Sequence, residues 1–416
     1  MTDRQKRYLV PLLLIVSLFF LWGAANNLND VLMKHFKKAF TLTDFQTGLV
    51  QSAFYFGYFC FAIPAALFMK RFGYKAAVVL GLVLFGAGAL LFLPAADSRS
   101  YVAFLLALYV LASGLAFLET SANPLVTVLG DPASAERRLN FAQSFNPLGS
   151  ISGVLIGSSF ILSGVEHSPD EIGAMSEAAR NAYFAAETAA VKGPYLAIGL
   201  FVLVWAALVA FVKFPPAASN DTGEIASKGD YRALLARPHF MLGVVAQFFY
   251  VGAQVGIWSY LIRYTQAELP GTPEKLAAQA ITLSLLLLFA GRFLGAALMG
   301  RIAPARLLAA FAMINVLLCG IGAIAGGQMG LAALIATSLF MSIMFPTIFA
   351  LSLRGLGPLT KAGSSLLVMS IIGGAVLTAL MGYVSDHSSI ATAMLVPAGC
   401  FVAIFGFARS AGGVPA

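Results

Sequence analysis

Twelve apolar runs, each near the 20 or so residues that cross a bilayer as a helix, constrain this chain more than any other feature. They cover roughly 8–31, 44–69, 74–94, 101–129, 138–163, 194–213, 238–264, 275–299, 305–325, 329–353, 361–385 and 390–408. A barrel strand needs only about half that length, so the runs predict membrane helices. Only 11% of the residues are charged and 59% are hydrophobic, whereas a soluble domain carries about 25% charge. The predicted class is an all-α integral membrane protein of twelve transmembrane helices, with the lipid bilayer as a partner. The net charge of +8 does not call for nucleic acid, because Lys and Arg collect in the cytoplasmic loops of membrane proteins. No phosphate-binding loop, zinc spacing or nucleophile elbow occurs, and the polar segments are too short for a catalytic domain. Enzymatic and ATP-driven activities are therefore excluded. Cys60, Cys319 and Cys400 lie in apolar runs without metal spacing and read as small core residues. Arg4, Lys6 and Arg7 precede the first run with no small-residue cleavage site, which predicts an uncleaved anchor.

Two longer polar segments interrupt the runs, an acidic one at 164–193 and a second at 214–238 containing Pro215-Pro216. The second falls midway and predicts a linker, 214–237, between an N-terminal half, 1–213, and a C-terminal half, 238–416. With the N-terminus inside, about 17 of the Lys and Arg fall in cytoplasmic segments and about 8 outside, which predicts that both termini are cytoplasmic. Lys34, Lys37 and Lys38 run against that count. The halves also repeat: Arg71 and Arg301 stand 230 residues apart in equivalent basic loops, as do Asp44 and Glu274. Two duplicated six-helix units rocking about a midplane site form a transporter architecture.

Candidate chemistry lies where polar groups enter the runs. Asn26 and Asp30 stack one turn apart at the end of the first run, with Asn27 beside them. Amides plus one acid suit a polyhydroxy solute, although Asp30 also fits the solvated end of a helix. Glu119 lies deeper, in Phe117-Leu118-Glu119-Thr120-Ser121-Ala122-Asn123-Pro124, with Asn123 one turn on and Pro124 freeing a backbone carbonyl. An acid inside a span is either a satisfied structural group or a proton carrier. In the fifth run Asn140, Gln143 and Asn146 recur at helical spacing and either bond across helices or face a wet cavity. In the seventh, Gln247, Tyr250, Gln254 and Trp258 share a face about 80° wide at 100° per residue. Amides and aromatic rings on one stripe suit a sugar, whose hydroxyls take hydrogen bonds and whose C–H face packs on rings. All four histidines fall in loops or at span ends. Arg292, inside the eighth run, either snorkels or pairs within the second half.

The two basic loops, Arg71-Phe72-Gly73-Tyr74-Lys75 and Arg301-Ile302-Ala303-Pro304, resemble degenerate copies of the major facilitator signature. Ala66 and Lys70 stand for its Gly and Asp in the first copy, and Ala296 and Gly300 in the second. More specifically, the chain resembles the fucose permease family of major facilitator sugar:proton symporters over nearly its full length. Ser17-Leu-Phe-Phe-Leu-Trp22, Ala25-Asn-Asn-Leu-Asn-Asp30, Phe40-Thr-Leu-Thr-Asp-Phe-Gln46 and Gln51-Ser-Ala-Phe-Tyr-Phe-Gly-Tyr58 carry the likeness. So do Leu118-Glu-Thr120 with Ala122-Asn-Pro124, Gln247-Phe-Phe-Tyr-Val-Gly-Ala-Gln254 and Trp258-Ser-Tyr-Leu-Ile-Arg-Tyr264. The resemblance implies uptake of L-fucose with a proton by alternating access, in a bacterial inner membrane. It also implies a monomer, with no cofactor beyond the co-transported proton. It makes Asp30 and Glu119 the proton-linked carboxylates and places Asn27, Gln143 and Asn146 near the sugar. Trp22, Asn26, Asn123, Gln247, Tyr250, Gln254 and Trp258 complete the expected sugar site. Relatives that carry glucose and galactose tend to lack the Leu-Glu-Thr acid, so Glu119 favours fucose. Gly23, Ala24 and Pro147 depart from the family pattern and bear on the exact sugar. The competing expectations are a proton- or sodium-coupled symporter of glucose, galactose or N-acetylglucosamine, and a sensor that binds sugar without moving it.

Overall fold

The computed structural model describes residues 11, 13–25, 44–129, 132–160, 171, 174–214 and 228–411. The expected Asn26, Asn27 and Asp30 lie outside the described residues, as does 215–227 of the predicted linker. Every described element is an α-helix or a short 3₁₀ turn, the outcome required of a backbone that must satisfy its own hydrogen bonds in lipid. The first elements are α1 (Leu13–Ala25), α2 (Asp44–Ser98), α3 (Tyr101–Val128), α4 (Ala135–Gln143) and α5 (Phe145–Phe160). Next come α6 (Glu177–Ala189), α7 (Lys192–Phe211) and α8 (Lys228–Leu235), the last inside the predicted linker. The second half holds α9 (Pro238–Glu268), α10 (Glu274–Leu298), α11 (Pro304–Ile324), α12 (Gly327–Met341) and α13 (Met344–Leu353). It closes with α14 (Thr360–Met369), α15 (Gly373–His387), α16 (Ile390–Ala393) and α17 (Leu395–Ala411).

Nine of the described helical stretches are long and apolar enough to cross a membrane. One of them, Ala53–Ser98, contains two predicted spans. Its chain breaks at Gly73, which takes φ 81° and ψ 169°, a conformation closed to most side chains. The α4–α5 pair and the shorter α1 account for the remaining predicted spans.

Four runs expected to be single helices are broken: one, between α14 and α15, by a 3₁₀ turn at Ser370–Ile372 with no proline after it, and three by breaks that share a cause. The chain turns at Ser144, at Ser342–Ile343 and at Met394, and in each case the next helix has proline as its third residue: Pro147, Pro346 and Pro397. Proline has no N–H for the carbonyl four residues back, so the carbonyls of Gln143, Ser342 and Ala393 lose their helical partner. The helices run on through Pro64, Pro94 and Pro124 without a break at those residues, so proline alone does not decide where a span breaks.

Around these breaks the helices meet at small residues. α5 lies directly on α1: a Cβ on Gly149 or Gly153 would overlap the carbonyls of Phe20 and Ala24, and one on Gly23 would overlap that of Asn146. Close backbone approach of this kind replaces the hydrophobic effect, which does not act between helices in lipid. The halves meet at one end of the bundle. There Arg354 Nε bonds Glu136 Oε1 at 2.6 Å, Lys361 Nζ sits 5.2 Å from the Tyr74 ring centroid, and Tyr231 of α8 faces Ser365 Oγ at 3.4 Å. Lys70 pairs with Asp230 of the same helix, so α8 straps the two halves together.

The α1–α5 contact makes a direct prediction. Gly149→Val should lower the stability of the detergent-solubilised protein by about 1–3 kcal/mol, the usual cost of overpacking. Gly193→Ala, with open space around the new methyl, should leave the unfolding midpoint where it is or raise it.

Candidate functional site

The central helix is α3. Every residue from Leu111 to Val126 is buried, so this stretch is enclosed by protein on all sides rather than facing lipid on one. Into that enclosure the sequence inserts Ser113, Glu119, Thr120, Ser121 and Asn123. Ser121 Oγ donates back to Phe117 O at 2.7 Å. Glu119 is 3% exposed, and no basic side chain among the described residues forms an ion pair with it. The Tyr58 hydroxyl, on α2, lies within electrostatic reach of Glu119 and beside Trp22. Tyr58 is a neighbour that sequence reasoning missed, because it sits among other aromatic residues in an apolar run.

From Glu119 a line of hydrogen bonds leads across the molecule. Asn123 Nδ2 donates to the Glu119 carbonyl at 3.1 Å, and Gln143 Nε2 donates to Asn123 Oδ1 at 2.9 Å. Arg292 Nη1, from α10 in the other half, donates to Gln143 Oε1 at 3.0 Å and to the Gln143 carbonyl at 2.5 Å. That carbonyl is the one Pro147 leaves without a helical partner. Arg292 is 4% exposed and reaches across to the first half. It does not snorkel; of the two alternatives its sequence position suggested, a partner in the second half is met only electrostatically, by Tyr250, while its hydrogen bonds cross to the first half.

α4 presents one face to the second half over its whole length. Glu136, Asn140 and Gln143, at helical spacing, meet Arg354, Thr347 and Arg292 respectively. The Asn140 Nδ2 to Thr347 Oγ1 bond is 3.0 Å long. Asn146, past the break, instead donates to Phe19 O of α1 at 3.3 Å. Trp22, next to it on α1, stacks on Phe19 with centroids 5.5 Å apart.

The predicted stripe on α9 divides in two. Tyr250 OH donates to Met341 O at 3.3 Å, and Trp258 Nε1 donates to Ser338 Oγ at 3.1 Å, so both rings are tied to α12. Gln254 is half-buried. Gln247 is fully buried, and neither its Oε1 nor its Nε2 has a hydrogen-bond partner among the described residues. A buried amide with both ends open is costly, so it marks a place where something polar is expected to bind. Tyr250, one turn along the same face, lies close enough to Arg292 for the two to interact electrostatically. The arrangement therefore holds a desolvated acid, a line of oriented amides, a buried cation and an unsatisfied amide: the elements for binding a neutral, hydroxyl-rich solute beside a proton site.

Comparison with known proteins agrees. The family model described as Major Facilitator Superfamily matches residues 13–369. The chain is 49% identical to the L-fucose-proton symporter of Escherichia coli over 98% of this chain and 94% of that protein. It is 39% identical to the L-fucose-proton symporter of Haemophilus influenzae, over 97% of each chain. The glucose/galactose transporter of Brucella abortus is 37% identical over 98% of this chain and 96% of its own. Among solved structures, the crystal structure of the transporter FucP in the outward conformation superposes with a TM-score of 0.91 at 48% identity, covering 98% of this chain and all of that one. The chain is thus an all-α membrane protein with the twelve-helix, two-half architecture, and it belongs to the major facilitator superfamily.

Proposed function

We propose that this protein is a secondary active transporter that carries L-fucose into the cell together with a proton. The observation that carries the reading is Glu119: a buried acid with no described cation beside it, at the end of the amide line. L-fucose-proton symporters are the relatives at 49% and 39% identity, and the glucose/galactose transporter follows at 37%. The chain is a carrier, not an enzyme.

The chemistry follows from charge and burial. Burying an ionised carboxylate without a partner costs several kcal/mol. Any motion that closes off the water path to Glu119 is therefore favourable only once the acid holds a proton. Sugar binding adds hydrogen bonds to Gln143 and to the open amide of Gln247, and these hold the two halves around the solute. Loaded with both, the halves rock and release them on the other side; the ionised site returns to its water-accessible state. Asp30 couples sugar binding to the proton, with Trp22, Asn26, Asn27, Asn123 and Asn146 in the first half and Tyr250, Gln254 and Trp258 in the second completing the site. The end tied by Glu136–Arg354 and α8 is the cytoplasmic one, by the Lys and Arg count, with both termini on that side of a bacterial inner membrane. The N-terminal half, 1–213, then carries the proton site, and 238–416 moves against it through the linker at 214–237. The protein works as a monomer in lipid with no cofactor other than the proton, and without nucleic acid.

Three outcomes test this. Adding L-fucose to lightly buffered cells should make the medium alkaline, whereas glucose, galactose and N-acetylglucosamine should not; alkalinisation by one of those instead would move the specificity, and uptake with no pH change would reject proton coupling. Glu119→Gln should abolish accumulation against a gradient yet preserve exchange of labelled for unlabelled fucose, and full uphill uptake by that variant would remove Glu119 from the proton path. Gln247→Leu should weaken L-fucose binding about fivefold to a hundredfold, the range expected when a hydrogen-bonding group is lost. It should not destabilise the protein, since it removes an unsatisfied buried amide.

A further inference from the structure

Arg292 is a cation buried at a depth where cations are expensive, yet the structure gives it no acidic partner among the described residues. Its Nη1 holds two neutral oxygens of one residue, the carbonyl and the Oε1 of Gln143. Its Nε is buried without a partner among the described residues, so the guanidinium grips the first half by one arm.

That grip has a consequence for every amide beyond it. A guanidinium has only donors. The side-chain atom of Gln143 that faces it must be the oxygen, and the nitrogen must then face Asn123. Asn123 must in turn present its own oxygen to Gln143, which directs its NH₂ to the Glu119 carbonyl. An amide oxygen has two lone pairs and an amide nitrogen two hydrogens. With one of each in use, Gln143 keeps one acceptor position and one donor position for a further group, in fixed places. The Glu119 carbonyl, which can only accept, sets the same polarity from the far end, so the line is pinned at both ends and Arg292 is the pin that holds Gln143 directly.

We propose that Arg292 is the positioning residue of the sugar site. By holding Gln143 it locks in place, with the Glu119 carbonyl at the far end, which edge of that amide accepts and which donates, and so secures the hydrogen-bonding polarity that the hydroxyls of the sugar meet. The inference rests on the reading above that Gln143 meets the sugar. It makes Arg292 a determinant of affinity and of discrimination among sugars, with no role in carrying the proton.

The test is equilibrium binding and exchange of L-fucose by the full-length protein in proteoliposomes. It compares Arg292→Met, Arg292→Lys, Gln143→Ala and the double variant Gln143→Ala with Arg292→Met. Arg292→Met should raise the half-saturating L-fucose concentration about tenfold to a hundredfold, the effect of losing charge-assisted positioning. It should change the maximal exchange rate far less. It should also narrow the preference for L-fucose over analogues lacking one hydroxyl, which a merely structural loss, weakening all sugars alike, would not do. Arg292→Lys keeps the charge but not the planar fork and should fall between. In the Gln143→Ala background, Arg292→Met should add no more than about twofold, because the two residues act as one unit. Additive losses, or wild-type affinity and analogue ranking in Arg292→Met while Gln143→Ala is impaired, overturn the role of Arg292 alone. Wild-type affinity in Gln143→Ala overturns the reading of Gln143 as a sugar residue, and this inference with it. Should Arg292→Met fail to fold, Arg292→Lys decides: unchanged affinity and unchanged analogue ranking in that variant reject the proposal.

Discussion

The structure turns on a single buried guanidinium. A cation buried inside a membrane protein needs several hydrogen bonds to be tolerable, and charge-assisted ones are each worth about 1.5–3 kcal/mol. Arg292 obtains them from Gln143, in the opposite half, rather than from an acid on its own side. Pro147 makes this possible: with no N–H to give, it leaves the Gln143 carbonyl available at the point where the helix breaks. A local sequence choice in the fifth span thus supplies the acceptor that a residue in the eighth span requires.

The same break separates two kinds of packing. Before Ser144, α4 is attached to the second half by polar contacts at Glu136, Asn140 and Gln143. After it, α5 is attached to α1 by glycine-to-backbone contact and by the Asn146 bond to Phe19. The polar seam is incompletely satisfied: Glu136 Oε2 and Asn140 Oδ1 have no partners among the described residues. A seam of that kind holds the halves together without making separation prohibitive, since water can take over the released groups. The glycine contact has no such substitute, since a side chain at Gly149 or Gly153 would meet the backbone of α1.

Sequence alone made the spans legible, because each transmembrane helix must satisfy its own backbone and therefore announces itself by length and hydropathy. The Glu119–Asn123 pair was legible for a similar reason, since a four-residue spacing fixes a shared helix face. The broken spans were not. Pro147, Pro346 and Pro397 read no differently from Pro64, Pro94 and Pro124, and the distinction is made by neighbours that the sequence does not order. The amides of the fifth span had two readings, and each turns out to have an interhelical partner. For Gln143 that bond leaves part of the amide free, so the alternatives of glue and ligand were never exclusive. Angular arithmetic placed Gln247, Tyr250, Gln254 and Trp258 on one stripe. It could not reveal that Tyr250 and Trp258 are held by α12, with Gln247 left open.

An acid in one half and a base in the other, joined through neutral amides, transmit orientation rather than charge. Were Arg292 beside Glu119, the two would form a buried ion pair and the acid would have little reason to take a proton. The amides between them prevent that neutralisation. Asn123 lies one turn from Glu119 and is a natural donor to its carboxyl group. Its bond in this structure goes to the Glu119 backbone carbonyl instead. The cation holds one end of the line and the Glu119 backbone carbonyl the other, and no basic side chain among the described residues forms an ion pair with the Glu119 carboxyl group. In the proposed mechanism, that separation of the two charges lets one set of residues recognise a neutral sugar and also hold and release a proton.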